Sequence, residues 1–401
     1  MGTDVSVRSR NRVLRGLAAG LVLTLGALVA PTAPVAGADP ASPRATSSTW
    51  TVMVYISGDN NLEKYVVNDL EDELGAVGSS SDVQVVALAD RGPGRDARRG
   101  DWTTTKLFHV TQGMRANAAS AVADWGERNM GSAKTLTRFV GWTKANYPAD
   151  HYAMYFWGHG WSWHPGWVLE DDTDDDTLDA DEVRRVLPQL GYFDVVGYDG
   201  CNMASIEIMD LWHGHAGAVT SSQEWVGWDG LEYDVILGKL QNAPGMSARE
   251  LAIASSRSTT TEKTWSAIDV GHRFDRLLVA VDGWARALKR VLTDDRKILR
   301  SAFEDTRSYW KAPMDNDLYD LAKTINARVD DQAVRSTGRH VMRAVDAAVL
   351  HEHHAETKAG SHGLTIYGPW AQRHLRDYRY YRSLDFAKDT HWDEFLKAFH
   401  S

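Results

Sequence analysis

Cysteine is all but missing: Cys201 is the one thiol in 401 residues. Exported proteins commonly use paired cysteines, and a single one cannot close an internal bridge. A disulfide scaffold is therefore excluded, and stability has to come from packing. Also lacking is a run of about 20 apolar residues, the length needed to cross a bilayer. Basic residues are outnumbered, 44 Lys and Arg against 54 Asp and Glu, for a formal charge of −10. Nucleic acid and anionic membrane surfaces are therefore poor partners. The sequence has no internal repeat, and apart from one acidic tract it has no low-complexity segment.

The longest apolar stretch, "GLAAGLVLTLGALVA" from Gly16 to Ala30, follows Arg8, Arg10, Arg12 and Arg15 and precedes "VAGADP", an Ala-x-Ala site ending at Ala38. Basic, apolar and small-residue parts in that order are the layout of a secretory signal. The expectation is a signal over residues 1–38, cut after Ala38, then a disordered lead over 39–48. No cysteine follows the apolar run, so it offers no lipid-attachment site. The cut would remove four arginines and one aspartate, taking the charge from −10 to −13. The 363 residues left suffice for one large or two modest cores.

Five short runs read as buried strands: "TVMVYIS" (51–57), "VQVVALAD" (83–90), "YAMYFWG" (152–158), "DVVGYDG" (194–200) and "AGAVTSS" (216–222). Each is brief, rich in β-branched or aromatic residues and bounded by Gly, Asp or Asn. Amphipathic helical patterns lie between them, at 60–74, 132–147, 177–190 and 202–213. Strands alternating with helices predict an α/β fold with a parallel sheet covered on both faces. Residues 91–113 read as a hairpin or loop excursion. Beyond about residue 231 the pattern is mostly helical (247–260, 273–293, 295–310, 316–328, 331–351), with further strands at 265–270 and 363–369. The expected organisation is a catalytic core over 49–230 and a mainly helical subdomain over 231–401 packed on it.

In such sheets, functional groups gather where strands end at their carboxyl edge. Three of these ends carry chemistry: Gly58-Asp59-Asn60, Gly158-His159-Gly160 and Asp199-Gly200-Cys201. A thiol attacks as thiolate, and an imidazole alongside can take its proton and return it to a leaving amine. His159 between glycines can be presented openly. The N–H groups of Gly160 and Cys201 are natural donors to an oxyanion, and a helix beginning near Asn202 would favour the thiolate through its dipole. A lone cysteine is otherwise a core residue, and a lone strand-end histidine a structural one. The coincidence of "GHG" and "DGC" at two strand ends favours chemistry.

"WTVMVYISGDNNLE" (50–63), "YFWGHGWSW" (155–163), "VVGYDGCNMASIE" (195–207), "SSQEWVGWDGLEYD" (221–234) and "SLDFAKDTHWDEFLKAF" (383–399) resemble successive blocks of the clostripain-type cysteine peptidases, relatives of gingipain, legumain and the caspases. The resemblance implies a caspase-like three-layer α/β sandwich with His159 as general base and acid and Cys201 as nucleophile. It also implies cleavage after Arg, sometimes Lys, with Asp199 and Asp229 as the S1 acids; a carboxylate pair can hold a guanidinium bidentately. So close to the sulfur, Asp199 must point away from it. On their own, Asp199 also reads as a strand-end turn residue and Asp229 as a solvated loop acid. "DLYDLA" (317–322) resembles a further block and is expected at the pocket rim. Expected substrates are proteins or peptides, and the chain is expected to be a secreted monomer with no membrane attachment once the signal is removed.

"EDDTDDDTLDADE" (170–182) suits a hard cation by composition but fails the EF-hand pattern, since the sixth position from Asp171 is Asp176 where glycine is needed. The favoured reading is a solvated loop in which Thr177 or Asp179 caps a helix. No metal ligand is assigned and no cofactor is required, though the resemblance leaves calcium open because some members need it. Members are often cut after a basic residue between the histidine and the cysteine. Here no Lys or Arg occurs from Gly160 to Val183, and Arg184 and Arg185 are the first candidates. The chain also has 16 tryptophans. Trp157, Trp161, Trp163 and Trp167 would wall a substrate groove or, with a structural cysteine, line the cleft of an exported carbohydrate-binding protein or glycosidase.

Overall fold

All five apolar runs form strands. A computed structural model describes residues 48–166, 168–259, 263–309, 312–369 and 377–401. The signal and its cut, the lead over 39–47, Trp167 and the last residues of the helical patterns ending at 260 and 310 lie outside the described residues. The strands in chain order are β1 (Ser48–Gly58), β2 (Val83–Arg91), β3 (Lys106–His109), β4 (Ala123–Asp124), β5 (Ala149–Trp157), β6 (Phe193–Asp199), β7 (Ala216–Ser221), β8 (Thr264–Asp269), β9 (Ser308–Tyr309), β10 (Ala312–Asp317), β11 (Val349–His354) and β12 (Thr365–Tyr367).

Nine of them make one sheet in the order β11-β8-β7-β6-β5-β1-β2-β3-β4, and β12-β10-β9 make a smaller one. The five expected strands are its parallel centre, β2-β1-β5-β6-β7. The edge strands run antiparallel. Side chains of a strand alternate between faces. On β1, Met53 and Tyr55 enter one apolar core while Val52, Val54 and Ile56 enter the other. Helices Ala133–Asn146, Ala180–Leu190, Ile206–Trp212 and His272–Asp305 cover the first face. Helices Glu63–Asn68, Tyr233–Asn242 and Ala248–Ser256 cover the second. The result is a three-layer sandwich of mixed α/β type.

The register aligns the functional ends. Ile56 pairs with Trp157, Trp157 with Asp199, and Ser57 with Asp90. The loops after β1, β5 and β6 therefore leave the sheet at one level, the rim where the glycine-bounded motifs were expected.

Three expectations need correction. Residues 273–293 and 295–310 were expected as two helices, but His272–Asp305 is one of 34 residues, whose stripe continues through Leu288, Leu292 and Leu299 with no Gly or Pro at the expected break near residue 294. The helical pattern over 331–351 ends at Ala348, and Val349–His354 pairs with β8 as an edge strand. The helix expected near Asn202 begins at Ile206 with Ser205 as its N-cap. Among the described residues, no helix is long and apolar enough to cross a membrane.

Candidate active site

A cleft with about 520 Å³ of empty space opens at this rim. Its walls include His159, Cys201, Asp199 and Asp229. The sequence-derived dyad and both candidate S1 acids therefore meet in one place.

Cys201, partly exposed, sits in the turn that follows β6. The next residue, Asn202, takes a left-handed φ of 59°, which asparagine tolerates better than most residues. Asn202 N–H bonds the Glu224 carbonyl at 3.1 Å and its side chain the Gln223 carbonyl at 2.8 Å. A pinned turn thus presents the thiol, and the expected dipole support is withdrawn because the helix starts five residues later. Gly160 lies against this turn. A Cβ there would fall 2.6 Å from the Cys201 oxygen and 3.0 Å from its nitrogen, so only glycine lets the two backbones approach.

His159 is half-buried, and its Nε2 lies 2.6 Å from Asn61 Oδ1. An amide oxygen only accepts, so Nε2 carries the hydrogen and Nδ1 is left as the basic nitrogen. Burial lowers the pKa of this imidazole from its ordinary value, and Asp172 opposes that in part. Asn61 lies one residue beyond the expected motif Gly58-Asp59-Asn60. Asn60 has a structural role, with its side chain bonded to the carbonyls of Ser57 and Glu170 and to the Leu62 N–H.

Asp199 is buried, its carboxylate held by the Leu231 N–H at 3.2 Å. Gly230, at φ 56°, makes room for it, since a Cβ would sit 2.6 Å from Asp199 Oδ1. Asp229 is exposed on the rim. Behind Asp199 stands Asp69, whose carboxyl is raised well above the usual range by burial first and then by the charge of Asp199, while Trp157 donates to it. Asp69 is not legible as a site residue, because it sits inside a helical pattern.

The aromatic walls differ from expectation. Trp157 lines the cleft, but Trp163 is core, packed at 4.9 and 5.0 Å against Tyr367 and Tyr381. Trp225 and Trp228 line it instead, and the exposed Trp228 stacks on Tyr65 at 5.3 Å. Among the described residues, Trp161 and Trp163 do not line this cleft. None of the residues of "DLYDLA" lines the cleft: Asp317 is buried, accepts from Gln223 at 3.0 Å and caps the helix Leu318–Arg328. In the acidic tract Asp179 is the helix cap, with Glu182 returning to its N–H at 3.4 Å.

The sequence profile of the clostripain family, Peptidase C11, matches residues 54–399. The chain belongs to the clostripain family. Clostripain of Hathewaya histolytica is 25% identical over 226 residues, 49% of this chain and 43% of that protein. The match thus takes in less than half of that relative's length. Among solved structures, a secreted C11 cysteine protease from Bacteroides thetaiotaomicron in complex with an irreversible peptide inhibitor has a TM-score of 0.65 at 18% identity, covering 86% of this chain and 100% of that one. An inactive zymogen C11 protease from Parabacteroides distasonis has a TM-score of 0.64 at 18% identity, covering 86% and 99%. These likenesses establish the fold, that of C11 cysteine proteases. The carbohydrate reading finds no support among them.

Proposed function

We propose that this clostripain-family chain is a secreted cysteine endopeptidase that hydrolyses peptide bonds after Arg, with Lys as second choice, through a thioester on Cys201. What carries the reading is that the sole thiol and His159 border the same cleft, with Asp199 buried in its wall. The chemistry uses no cofactor, since thiol and imidazole supply nucleophile and proton. Export is supported by the signal layout of residues 1–38.

In the reaction, Cys201 Sγ bonds to the scissile carbonyl carbon as its proton passes to His159 Nδ1. The Gly160 and Cys201 N–H groups are assigned to the oxygen that becomes negative. The C–N bond then breaks, and the amine leaves with the proton from His159. Water attacks the thioester, giving a proton to His159; the C–S bond breaks, the acid is released and the thiol regains its proton. Asp199, with Asp229 at the mouth, is assigned to the basic side chain of the substrate.

Turnover of a fluorogenic peptidyl-Arg substrate by the purified chain tests this. Cys201→Ala and His159→Ala should each be inactive, and full turnover by either refutes the dyad. Asp199→Asn should lower kcat/KM for Arg by roughly 30-fold or more, the ~2 kcal/mol that losing one partner of a buried charge pair costs. Asp229→Asn, at an exposed position, should cost less than about tenfold. Equal losses on a neutral substrate would reject the S1 assignment.

A further inference from the structure

The segment "DLYDLA" stands behind the thiol and not beside the substrate. The turn at 202–205, which presents Cys201, is held from two sides. On one side is the loop after β7: Asn202 bonds the carbonyls of Glu224 and Gln223, and the Ala204 N–H bonds the Ser222 carbonyl at 3.0 Å. On the other is β12 of the smaller sheet, where the Thr365 N–H and hydroxyl both donate to the Ala204 carbonyl, at 2.9 and 3.2 Å. Asp317 ends β10 and pairs with Thr365 in that sheet.

Gln223 joins the two sides. It is buried and uses both ends of its side chain: Nε2 donates to Asp317 Oδ2 at 3.0 Å, and Oε1 accepts the Gly363 N–H at 2.9 Å. Only this orientation of the amide serves both neighbours, because a carboxylate accepts and a backbone N–H donates. Asp317 is 0% exposed. Its Oδ1 takes the Asp320 N–H at 2.9 Å and His362 Nδ1 at 3.1 Å, and its Oδ2 takes the His362 N–H at 2.7 Å, the Tyr309 hydroxyl at 3.3 Å and Gln223. His362 Nδ1 also lies 3.0 Å from the Gly360 carbonyl, which only accepts, so this nitrogen carries the hydrogen. Capping a helix needs one or two of these bonds. The remainder form a buried polar network with every Asp317 contact satisfied, the kind that fixes a single arrangement.

We propose that Asp317 is a positioning residue for the thiol chemistry: through Gln223 it fixes the turn that carries both Cys201 Sγ and the Cys201 N–H assigned to the oxyanion. The inference rests on that reading of Cys201. The path is continuous, from the Asp317 carboxylate to the Gln223 amide, from the Gln223 carbonyl to the Asn202 side chain, and along the backbone to Cys201. Gln223 thus has its side chain on the smaller sheet and its main chain on the thiol turn. Asn202 needs such support, since its φ of 59° is one that a residue other than glycine keeps only where its surroundings enforce it. Neither Asp317 nor Gln223 lines the cleft, so both act through the turn and not on substrate.

The test is steady-state kinetics of the full chain on a peptidyl-Arg substrate, with kcat expressed per competent site after titration with an irreversible peptidyl-Arg inhibitor. Asp317→Asn keeps a residue suited to the helix cap but sets an amide N–H against Gln223, and Gln223→Leu, of similar size, can bond at neither end. Each should lower kcat per site by roughly 10- to 100-fold, the scale of lost reactant alignment, with KM within about twofold. Because both break one link, the double variant should lose no more than the worse single one. Asp331→Ala, which removes the cap of the helix Gln332–Ala348, should lower the melting temperature and leave kcat per site unchanged. An unchanged kcat per site in Asp317→Asn, a KM that accounts for the whole loss, or losses that multiply in the double variant would each overturn the proposal. So would an equal fall in kcat with Asp331→Ala, because lost stability alone would then suffice. Full turnover by Cys201→Ala removes the reading on which the proposal rests, and the proposal with it, whereas an inactive Cys201→Ala beside an unaltered Asp317→Asn removes the proposal alone.

Discussion

In the proposed reaction a single side chain, Asn61, decides which nitrogen of His159 would exchange the proton. By holding Nε2 at 2.6 Å it fixes both the ring plane and the tautomer, leaving Nδ1 to exchange the proton. Its replacement should therefore act on kcat and not on substrate affinity. Asn61→Ala should lower kcat by roughly 10- to 100-fold, the scale of losing reactant alignment, with KM within about twofold on the same grounds. The pH profile gives a separate check. Burial disfavours the imidazolium, so the acid limb of kcat/KM should turn below 6.5, despite the opposing charge of Asp172. A turn above 6.5, or a KM that rises as kcat falls, would refute this positioning role. The meeting of His159 and Cys201 at one cleft is legible because glycine-bounded strand ends and a unique thiol are strong local signals. Asn61 is not, since a loop residue beyond a strand end carries no periodicity and its partner lies 98 positions away.

At the level of elements, the helix Ile206–Trp212 shows how pattern and placement part company. Its apolar residues suggested a start near Asn202, yet the chain first makes a turn that delivers the thiol. All seven helical residues are buried, Glu207 among them. Glu207 Oε1 accepts the Tyr367 N–H of β12 at 2.9 Å and the Tyr381 hydroxyl at 3.2 Å, while Oε2 has no partner among the described residues. Burial pushes this carboxyl up to about 8 from 4.5, with the Tyr367 N–H opposing and Asp315 adding to the rise. The folded state thus holds a proton that the unfolded chain has lost between those values. Stability should fall as pH rises through that window, by at most ~1.4 kcal/mol per unit from this group. Glu207→Gln keeps an acceptor for Tyr367 and cannot ionise. In a Cys201→Ala background its melting temperature should decline less steeply than the parent's between pH 5 and 8; an equal slope would show that Glu207 does not set the decline.

Across the whole molecule, the parallel centre could be read from sequence because strands buried on both faces are continuously apolar, as "VVALA" of β2 is. The antiparallel edges could not: β11 reads "VLHEHH", half-exposed and following a helix without a break, and only its pairing with β8 makes it a strand. The same global view bears on maturation. Between His159 and Cys201 the only basic residues are Arg184 and Arg185. Both lie inside the helix Ala180–Leu190, which is capped by Asp179 and Glu182 and anchored by buried Val183, Leu187 and Leu190. A peptidase needs an extended segment in its cleft, so a cut there requires unfolding that helix and losing its apolar contacts. The loop ahead of it is tied down as well, by Leu169 N–H to the His159 carbonyl at 3.0 Å and by the paired backbones of Asp171 and Asp176. The active enzyme is therefore expected to remain one chain across this stretch. On a denaturing gel, wild type at full activity and Cys201→Ala should give the same single band; a new N-terminus following Arg184 or Arg185, absent from the variant and growing with activity, would overturn that expectation.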